Sequence, residues 1–190
     1  MNTTVVTSQM RTTVMSNRRT RKPVTFLGRV GQRAVRPLRG GSQMPVGFRV
    51  IRRSSRPESA LLKRFAPLHT ADLSDAMNRS GTMDRGIQPA FSPIQRVVGA
   101  AVTVSAPTGA FNIVKIGMEQ TQAGDVLVIN ARGVINGALV GGNVCRGLLH
   151  RGLAGLVADG AVRDAGEIQQ DGLPTFARGR SEERRVGKEC

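Results

Sequence analysis

The sequence has no tryptophan, no tyrosine and only six phenylalanines among its 190 residues. Proteins that bind single-stranded nucleic acid usually stack bases on aromatic side chains, and this chain lacks such a platform. Its two cysteines, Cys145 and Cys190, are too few for a disulfide framework, so we expect a reducing compartment and a cytoplasmic location. No apolar run reaches the length of a membrane span and we recognise no secretory signal, so no membrane partner is expected.

Acidic residues are missing from the first part of the chain. Residues 1–57 carry 13 Arg or Lys and no acid, whereas residues 58–179 carry 11 basic and 10 acidic side chains. The net charge of +15 therefore belongs mainly to the leader at 1–57, and the candidate domain at 58–179 is nearly neutral. A nucleic-acid partner is not expected for this domain. A further hypothesis is that the basic leader binds nucleic acid.

The leader allows three interpretations. It lacks sustained apolar periodicity, which is typical of a disordered segment. It is rich in Arg, Ser and Thr, which is also the composition of an organelle transit peptide and would change the location. In the third interpretation Met44 is the true start, and residues 1–43 are translated from upstream sequence.

The last eleven residues, 180–190, show no apolar period and follow a good strand without a turn. They resemble the in-frame translation of a common sequencing-library adapter. We therefore interpret them as an artefact-derived tail, with the natural domain cut near Gly179. The alternative is an ordinary polar tail, since charged tails are common.

Between leader and tail, apolar periodicity predicts helices that alternate with short strands. This order is typical of an α/β domain with a parallel sheet. The helices are expected over 57–65, 70–77, 110–120, 143–151 and 164–170. The second of them is expected to be capped by Thr70 and ended by Ser80-Gly81. The strands are expected over 97–106, 125–130, 154–159 and 174–177.

Two short motifs follow neighbouring strands of the predicted sheet. Gly141-Gly142 lies in the connection after the strand that ends at Asn130, and Arg163-Asp164 follows the strand that ends at Asp159. Crossovers between parallel strands are almost always right-handed, and ligands of open α/β sheets collect at the carboxyl ends of the strands. We therefore expect the two motifs to face each other across one edge of the sheet.

The residue types at this edge suit a small 2-oxo acid. Glycines let the backbone approach a ligand closely, and free N–H groups at the start of the 143–151 helix attract an anion. Arg163 can bind a carboxylate through two hydrogen bonds. Asp164 supplies a hard oxygen for Mg²⁺ or Mn²⁺, with waters and substrate completing the coordination. Such a metal acts as a Lewis acid and stabilises a pyruvate enolate, which links aldol cleavage with oxaloacetate decarboxylation.

Simpler interpretations remain open for each of these residues. Gly141-Gly142 could be only a turn, and Arg163-Asp164 only an ion pair at a helix start. A lysine Schiff base is the alternative chemistry, but none of the four lysines is near either motif, and Lys115 is most simply solvated. The remaining polar candidates are expected to be structural: surface or packing histidines His69 and His150, a buried Cys145, and a solvated face with Asp72 and Asp75, of which Asp75 could contribute to a neighbouring site.

At these residues the chain resembles the regulator-of-ribonuclease-E-activity A-like (RraA-like) family, which includes 4-hydroxy-4-methyl-2-oxoglutarate aldolases. The resemblance runs from about Leu61 to Gly179, and the Gly-x-x-Arg-Asp block at 160–164 is its sharpest part. It also includes Leu73-Ser74-Asp75-Ala76, Gly99 to Ser105, residues 123–128, Gly141-Gly142-Asn143, and residues 174–179. A departure follows Asn130, where the family often has an Asp and glycines and this chain has Ala131-Arg132-Gly133.

The resemblance implies a β/β/α sandwich of the swivelling phosphohistidine-domain type, assembled as homotrimers or homohexamers with sites between subunits. It assigns substrate contacts to Gly141, Gly142, Asn143, Val144 and Arg163, and the divalent metal to Asp164. Family members continue past the 174–179 segment with further strands, so it also implies a domain truncated at its C-terminus, which would expose strand edges and could leave the chain inactive.

Two functions are therefore predicted. The first is a divalent-metal-dependent aldolase that releases pyruvate from 4-hydroxy-4-methyl-2-oxoglutarate, or an oxaloacetate decarboxylase, with Arg163 and Asp164 as catalytic residues. The alternative is a non-catalytic regulator that binds and inhibits a ribonuclease through a surface outside the cleft.

Overall fold

A computed structural model of the chain describes residues 49–51, 55–107 and 109–181. The leader up to residue 48, including Met44, and most of the expected tail, 182–190, lie outside the described residues. Five helices are described: α1 Ser59–Phe65, α2 Thr70–Ala76, α3 Phe111–Glu119, α4 Gly142–His150 and α5 Ala165–Asp171. Six strands are described: β1 Gln88–Pro89, β2 Ala101–Ser105, β3 Val126–Asn130, β4 Ala138–Val140, β5 Gly155–Val162 and β6 Thr175–Arg180. All of these elements belong to one compact unit of the chain, which includes the described residues from Arg56 onward.

The six described strands form one mixed sheet in the order β1-β6-β5-β3-β2, with β4 paired to the far end of β5. All pairs are parallel except β1 with β6. From β2 through β3 and β5 to β6, each step moves one position in the same direction. Right-handed crossovers then place the connecting helices α3, α4 and α5 on the same face of the sheet.

Side chains alternate between two apolar clusters because successive residues of a strand point to opposite faces. Leu127 and Leu156 belong to the cluster that includes helix residues Val114, Cys145 and Ile168. Their strand neighbours belong to a second cluster, formed by Val97, Val126, Val157 and Phe176, against which Ile87 and Ile94 pack. The sheet is therefore buried on both faces, as the continuous apolar strands of a parallel sheet require.

These findings confirm the α/β class and the alternation of strands with helices from residue 97 onward. The β/β/α sandwich of the swivelling type stays a prediction, because all strands that the structure describes belong to one sheet. Among the described residues, none of the helices combines the length and apolar character needed to cross a bilayer.

Several predicted boundaries are wrong at the level of a few residues. Helix α2 begins with Thr70, and its N-cap is His69 in an extended conformation without a side-chain cap bond. The same helix ends at Ala76, before the predicted Ser80-Gly81, because Asn78 and Arg79 both adopt positive φ angles. Strands β1 and β4 were not predicted, and β5 continues three residues past Asp159.

The end of β6 bears on the expected tail. The strand includes Arg180, which lies opposite Val162, and the Ser181 N–H donates to the Val162 carbonyl over 2.9 Å. The predicted boundary after Gly179 therefore falls within a paired strand. The origin of residues 180–190 stays a prediction.

A buried ion pair fixes the chain just before α1 to the start of β3. The Asp125 carboxylate is fully buried and accepts hydrogen bonds from both terminal nitrogens of Arg56, whose side chain is 32% exposed. The Gln122 N–H also donates to this carboxylate over 2.9 Å. A bidentate guanidinium compensates the buried charge of the carboxylate, so removing this cation would weaken that compensation.

We expect Arg56→Met to lower the free energy of unfolding by about 2–3 kcal/mol, because the buried Asp125 carboxylate loses its bidentate cation. Urea denaturation measures this change. The matched control is Arg79→Met, which removes an exposed pair with Asp75 at 3.2 Å and should cost less than about 0.5 kcal/mol. Equal losses in the two variants would contradict the assignment of Arg56 as an anchor.

Candidate active site at the ends of β4 and β5

The ends of β4 and β5 bring the starts of two helices together. The strands are parallel neighbours, with Val140 opposite Val162. Helix α4 begins with Gly142, two residues after β4 ends, and α5 begins with Ala165, three residues after β5 ends. The Arg163 N–H donates to the Val140 carbonyl over 3.0 Å, which extends the pairing beyond the strands.

One hydrogen bond closes this arrangement. The backbone N–H of Gly142 donates to Asp164 Oδ2 over 3.0 Å, across 22 positions in sequence. Asp164 is the N-cap of α5 and has a left-handed backbone, with φ of 59° and ψ of 36°. Short polar side chains tolerate this region better than most residues do. The two motifs therefore face each other, as the strand order predicted.

Glycine is required at position 141 by the closeness of these side chains. A Cβ on Gly141 would lie 2.6 Å from Asp164 Oδ2 and 2.8 Å from Arg163 Nε. A Cβ on Gly142 would lie 2.9 Å from Oε2 of Glu167. The glycine pair is therefore more than a turn, because it leaves room for charged groups next to the backbone.

Arg163 and Asp164 form an open pair. Arg163 Nε lies 3.6 Å from Asp164 Oδ2, and the two side chains are 50% and 39% exposed. Water screens such a pair, so little free energy holds the two groups to each other. A ligand that enters from solvent can therefore contact both the guanidinium and the carboxylate.

Asn143 and Val144 complete the predicted set. Asn143 is exposed and its Oδ1 accepts a hydrogen bond from an Arg146 terminal nitrogen over 3.3 Å, whereas Val144 is half-buried against the helix-side cluster. The Val144 N–H donates to the Gly141 carbonyl over 3.1 Å. The expectation of a row of free amides is therefore wrong at Gly142 and at Val144, because each donates within the protein.

The donor set fits a divalent ion that keeps most of its water. Among the residues that the structure describes, no group of three or more His, Cys, Asp and Glu side chains could form a closed metal cage. Asp164 offers a partly exposed carboxylate. Mg²⁺ characteristically keeps several waters and uses one or two protein carboxylates together with its substrate.

A second charged network joins α4 to α5 and was not predicted. Arg146 lies 2.9 Å from Glu167 Oε2 and, through Nε, 2.9 Å from Asp171 Oδ2. The hydrogen bond to Glu167, with the charge of Asp171, raises the pKa of Arg146 above its ordinary value. The available sequence signal was the four-residue spacing of Glu167 and Asp171, which places both on one side of α5.

A third network lies on the other face of the sheet. Arg178 donates through Nε to Asp159 over 2.6 Å and through a terminal nitrogen to Asp84 over 3.0 Å. The Gly86 N–H and Arg178 together lower the pKa of Asp84, and the bond to Asp159 raises that of Arg178. Asp159 and Arg178 follow Val157 and Phe176 in the strand alternation, so this network lies opposite the helices and apart from Arg163.

The structural interpretations of the remaining candidates are confirmed. Cys145 is buried, and burial raises the pKa of its thiol to about 12, so it is not a nucleophile near neutral pH. His69, His150, Lys115 and Asp72 are exposed. Asp75 is exposed and pairs with Arg79.

The chain belongs to the RraA-like family, described as Aldolase/RraA, whose model matches residues 70–189. One relative, from Halalkalibacterium halodurans, is named "Putative 4-hydroxy-4-methyl-2-oxoglutarate aldolase"; it is 33% identical over 66% of this chain and 59% of its own length. A Burkholderia mallei protein of the same name is 36% identical over 53% of this chain and 64% of its own. The chain therefore spans about three fifths of the length of these relatives.

Solved structures give the same family. The RNA-processing inhibitor RraA from Thermus thermophilis matches with a TM-score of 0.53 and 27% identity over 65% of this chain and 74% of that one. Streptomyces coelicolor RraAS2, titled an unusual member of the RNase ES inhibitor RraA protein family, matches with a TM-score of 0.59 and 25% identity over 67% and 66%. The resemblance seen in the sequence is confirmed.

We expect Gly141→Ala to lower the free energy of unfolding by up to about 1 kcal/mol, because its Cβ would displace the half-exposed side chains of Asp164 and Arg163. The matched control is Gly166→Ala in α5, where a Cβ meets nothing within 4 Å and should raise stability by up to about 0.5 kcal/mol. Urea denaturation measures both, and a crystal structure of Gly141→Ala should show the Gly142–Asp164 bond lengthened. A change in stability equal to that of the control would contradict the close approach.

Proposed function

We propose that this edge of the sheet is the active site of a divalent-metal-dependent aldolase that cleaves 4-hydroxy-4-methyl-2-oxoglutarate to pyruvate and also decarboxylates oxaloacetate. The observation that carries the proposal is the meeting of Asp164 and Arg163 with the Gly141-Gly142 backbone, at 3.0 Å for the Gly142 N–H. The names of the Halalkalibacterium and Burkholderia relatives support the same class of reaction. The chain spans part of those relatives, so the activity of the whole protein belongs to the proposal.

In this proposal Arg163 binds the substrate carboxylate. Its side chain is half exposed, and its backbone N–H is bound to the Val140 carbonyl, so the side chain starts from a fixed point at the end of β5. A planar fork binds a carboxylate through two parallel hydrogen bonds. The exposed amide of Asn143, at the start of α4, lies beside the same ligand and can bind a substrate hydroxyl or carbonyl.

Asp164 would hold the metal, Mg²⁺ or Mn²⁺. When bound, the ion would supply Lewis-acid polarisation of the 2-oxo group. The bond from Gly142 to Oδ2 orients the carboxylate, and the left-handed backbone of Asp164 directs it toward α4. Pairing one carboxylate oxygen with a backbone N–H in this way fixes the geometry of a ligand before the ion arrives.

Aldol cleavage requires that the negative charge developing on the substrate be stabilised. In aldol cleavage the 4-hydroxyl proton passes to water, the substrate C3–C4 bond breaks, and its electron pair forms a pyruvate enolate conjugated with the 2-oxo group, whose C3 is then protonated from water. The positive charge of Arg163 beside the adjoining carboxylate favours that state. A lysine Schiff base finds no support among the described lysines, since Lys63 and Lys115 are exposed on α1 and α3.

Assembly and location are further parts of the proposal. We propose a homotrimer or homohexamer of the swivelling-domain type, acting in the cytoplasm. Exposed large apolar side chains on the helix layer, such as Phe111 at 50% and Leu149 at 39%, provide area that subunit contacts could bury.

We expect Asp164→Asn to reduce kcat/KM for Mg²⁺-dependent pyruvate release by at least about 100-fold, since it removes the only charged metal ligand that we assign. Asn tolerates the left-handed backbone and keeps an oxygen for the Gly142 N–H, so the fold should persist. Pyruvate release from 4-hydroxy-4-methyl-2-oxoglutarate and from oxaloacetate can be measured with lactate dehydrogenase and NADH. Asp75→Asn is the control at an exposed carboxylate, and full activity in Asp164→Asn would refute the proposal.

The second candidate function is a non-catalytic regulator that binds and inhibits a ribonuclease. The titles of the Thermus and Streptomyces structures are the observation in its favour. Such a regulator would bind through a surface outside the site at the starts of α4 and α5. Its inhibition would then be independent of the groups that bind a 2-oxo acid.

If the chain is an aldolase, Arg163→Ala should abolish most pyruvate release, because the substrate carboxylate loses its cation. If it is only a regulator, the same variant should inhibit a ribonuclease as strongly as the unchanged chain does. Parallel assays of pyruvate release and RNA cleavage separate the two functions. Inhibition without any metal-dependent turnover would favour the regulator.

A further inference from the structure

Arg146 makes three contacts, one within α4 and two that connect α4 with α5. It lies in the second turn of α4, with one terminal nitrogen 3.3 Å from Asn143 Oδ1 and the other 2.9 Å from Glu167 Oε2. Its Nε lies 2.9 Å from Asp171 Oδ2. One guanidinium therefore holds a proposed substrate-binding residue and two carboxylates.

The carboxylate of Glu167 lies close to Gly142, beside which the anionic substrate is proposed to bind. Its Oε2 lies 2.9 Å from the point where a Cβ of Gly142 would be, and Asp164 Cβ lies 3.5 Å from the same point. Two carboxylates thus flank the glycine beside which the substrate is proposed to bind. Like charges this close repel each other, although water screens the repulsion because the Glu167 side chain is 55% exposed.

The contacts of Arg146 oppose this repulsion. The guanidinium is 43% exposed, whereas Asp171 is 23% exposed, so part of the acidic charge is shielded from water and compensated from within the protein. The carboxamide oxygen of Asn143 accepts a hydrogen bond from the same guanidinium over 3.3 Å, which orients the carboxamide. Both effects should favour an anionic ligand at the start of α4.

We propose that Arg146 is a positioning residue for this site, which neutralises Glu167 and orients Asn143 so that a dianionic 2-oxo acid can bind beside Gly142. The inference rests on the proposed aldolase function and assigns to Arg146 the selection of doubly charged substrates. Arg146 contacts no reacting atom in this scheme and acts only through its neighbours.

The test compares anion binding with metal binding in the full chain. In Arg146→Gln the charge of Glu167 is uncompensated, so KM for oxaloacetate and the Kd for oxalate, measured calorimetrically, should rise on the order of tenfold. The Kd for Mn²⁺ alone, measured by electron paramagnetic resonance, should stay unchanged or fall, because added negative charge attracts a cation. General damage to the fold would instead weaken both.

A second substitution should reverse the effect. Adding Glu167→Gln to Arg146→Gln removes the unpaired charge beside Gly142, although that of Asp171 remains, and should restore KM to within about threefold of the unchanged chain. Arg151→Gln, at the other end of α4, is the matched control for loss of one arginine and should leave KM unchanged.

The outcomes separate the inference from the function on which it rests. If the unchanged chain neither releases pyruvate nor binds Mn²⁺, the proposed function and the inference fail together. If the unchanged chain is active but Arg146→Gln keeps its KM within twofold, only the inference fails. A rise in the Mn²⁺ Kd, or a KM that Glu167→Gln does not restore, would also overturn it.

Discussion

The hydrogen bond from the Gly142 N–H to Asp164 Oδ2 is the contact on which this site depends. It joins the end of β4 to the end of β5, and each of these strands leads directly into a helix. The bond is possible because Gly141 has no Cβ to occupy the space of the carboxylate and because Asp164 turns back through a left-handed conformation. A backbone donor and a charged acceptor make one of the stronger hydrogen bonds in proteins, so the proposed ligand is held in place without a closed cage.

Much of this arrangement can be predicted from sequence patterns that act over short distances. The apolar strands β3 and β5, the glycine pair before α4 and the right-handed crossovers are enough to bring residue 142 next to residue 164. Strand β4 cannot be predicted in this way, because three residues carry little periodicity and pair only with the far end of β5. Strand β5 was expected to end at Asp159. It continues to Val162 because its last residues pair with β4 and β6, while the Asp159 carboxylate is bound by Arg178 on the opposite face.

The prediction of free N–H groups at the N-terminus of α4 failed for a different reason. Glycines before a helix indicate available N–H groups, but whether a group is available depends on side chains that come from elsewhere in the fold. The rotamer of Asp164 and the network of Arg146 with Glu167, which are 21 positions apart, follow from the packing of α4 against α5. Sequence spacing within either helix contains no information on how α4 packs against α5. The position of a residue along its helix can therefore be predicted, whereas its contacts with the other helix cannot.

The charges at this edge also relate metal binding to substrate binding. Asp164, Glu167 and Asp171 lie within one helix and its cap, and Arg163 and Arg146 are the cations paired with them. Their sum is one net negative charge, which disfavours a dianion near the start of α4. A divalent ion at Asp164 would change the local sum to one net positive charge. If the proposed function holds, the acidic residues of α5 make the anion bind well only after the metal has bound. Binding of the metal and binding of the anion are then coupled through charge alone, without movement of the backbone.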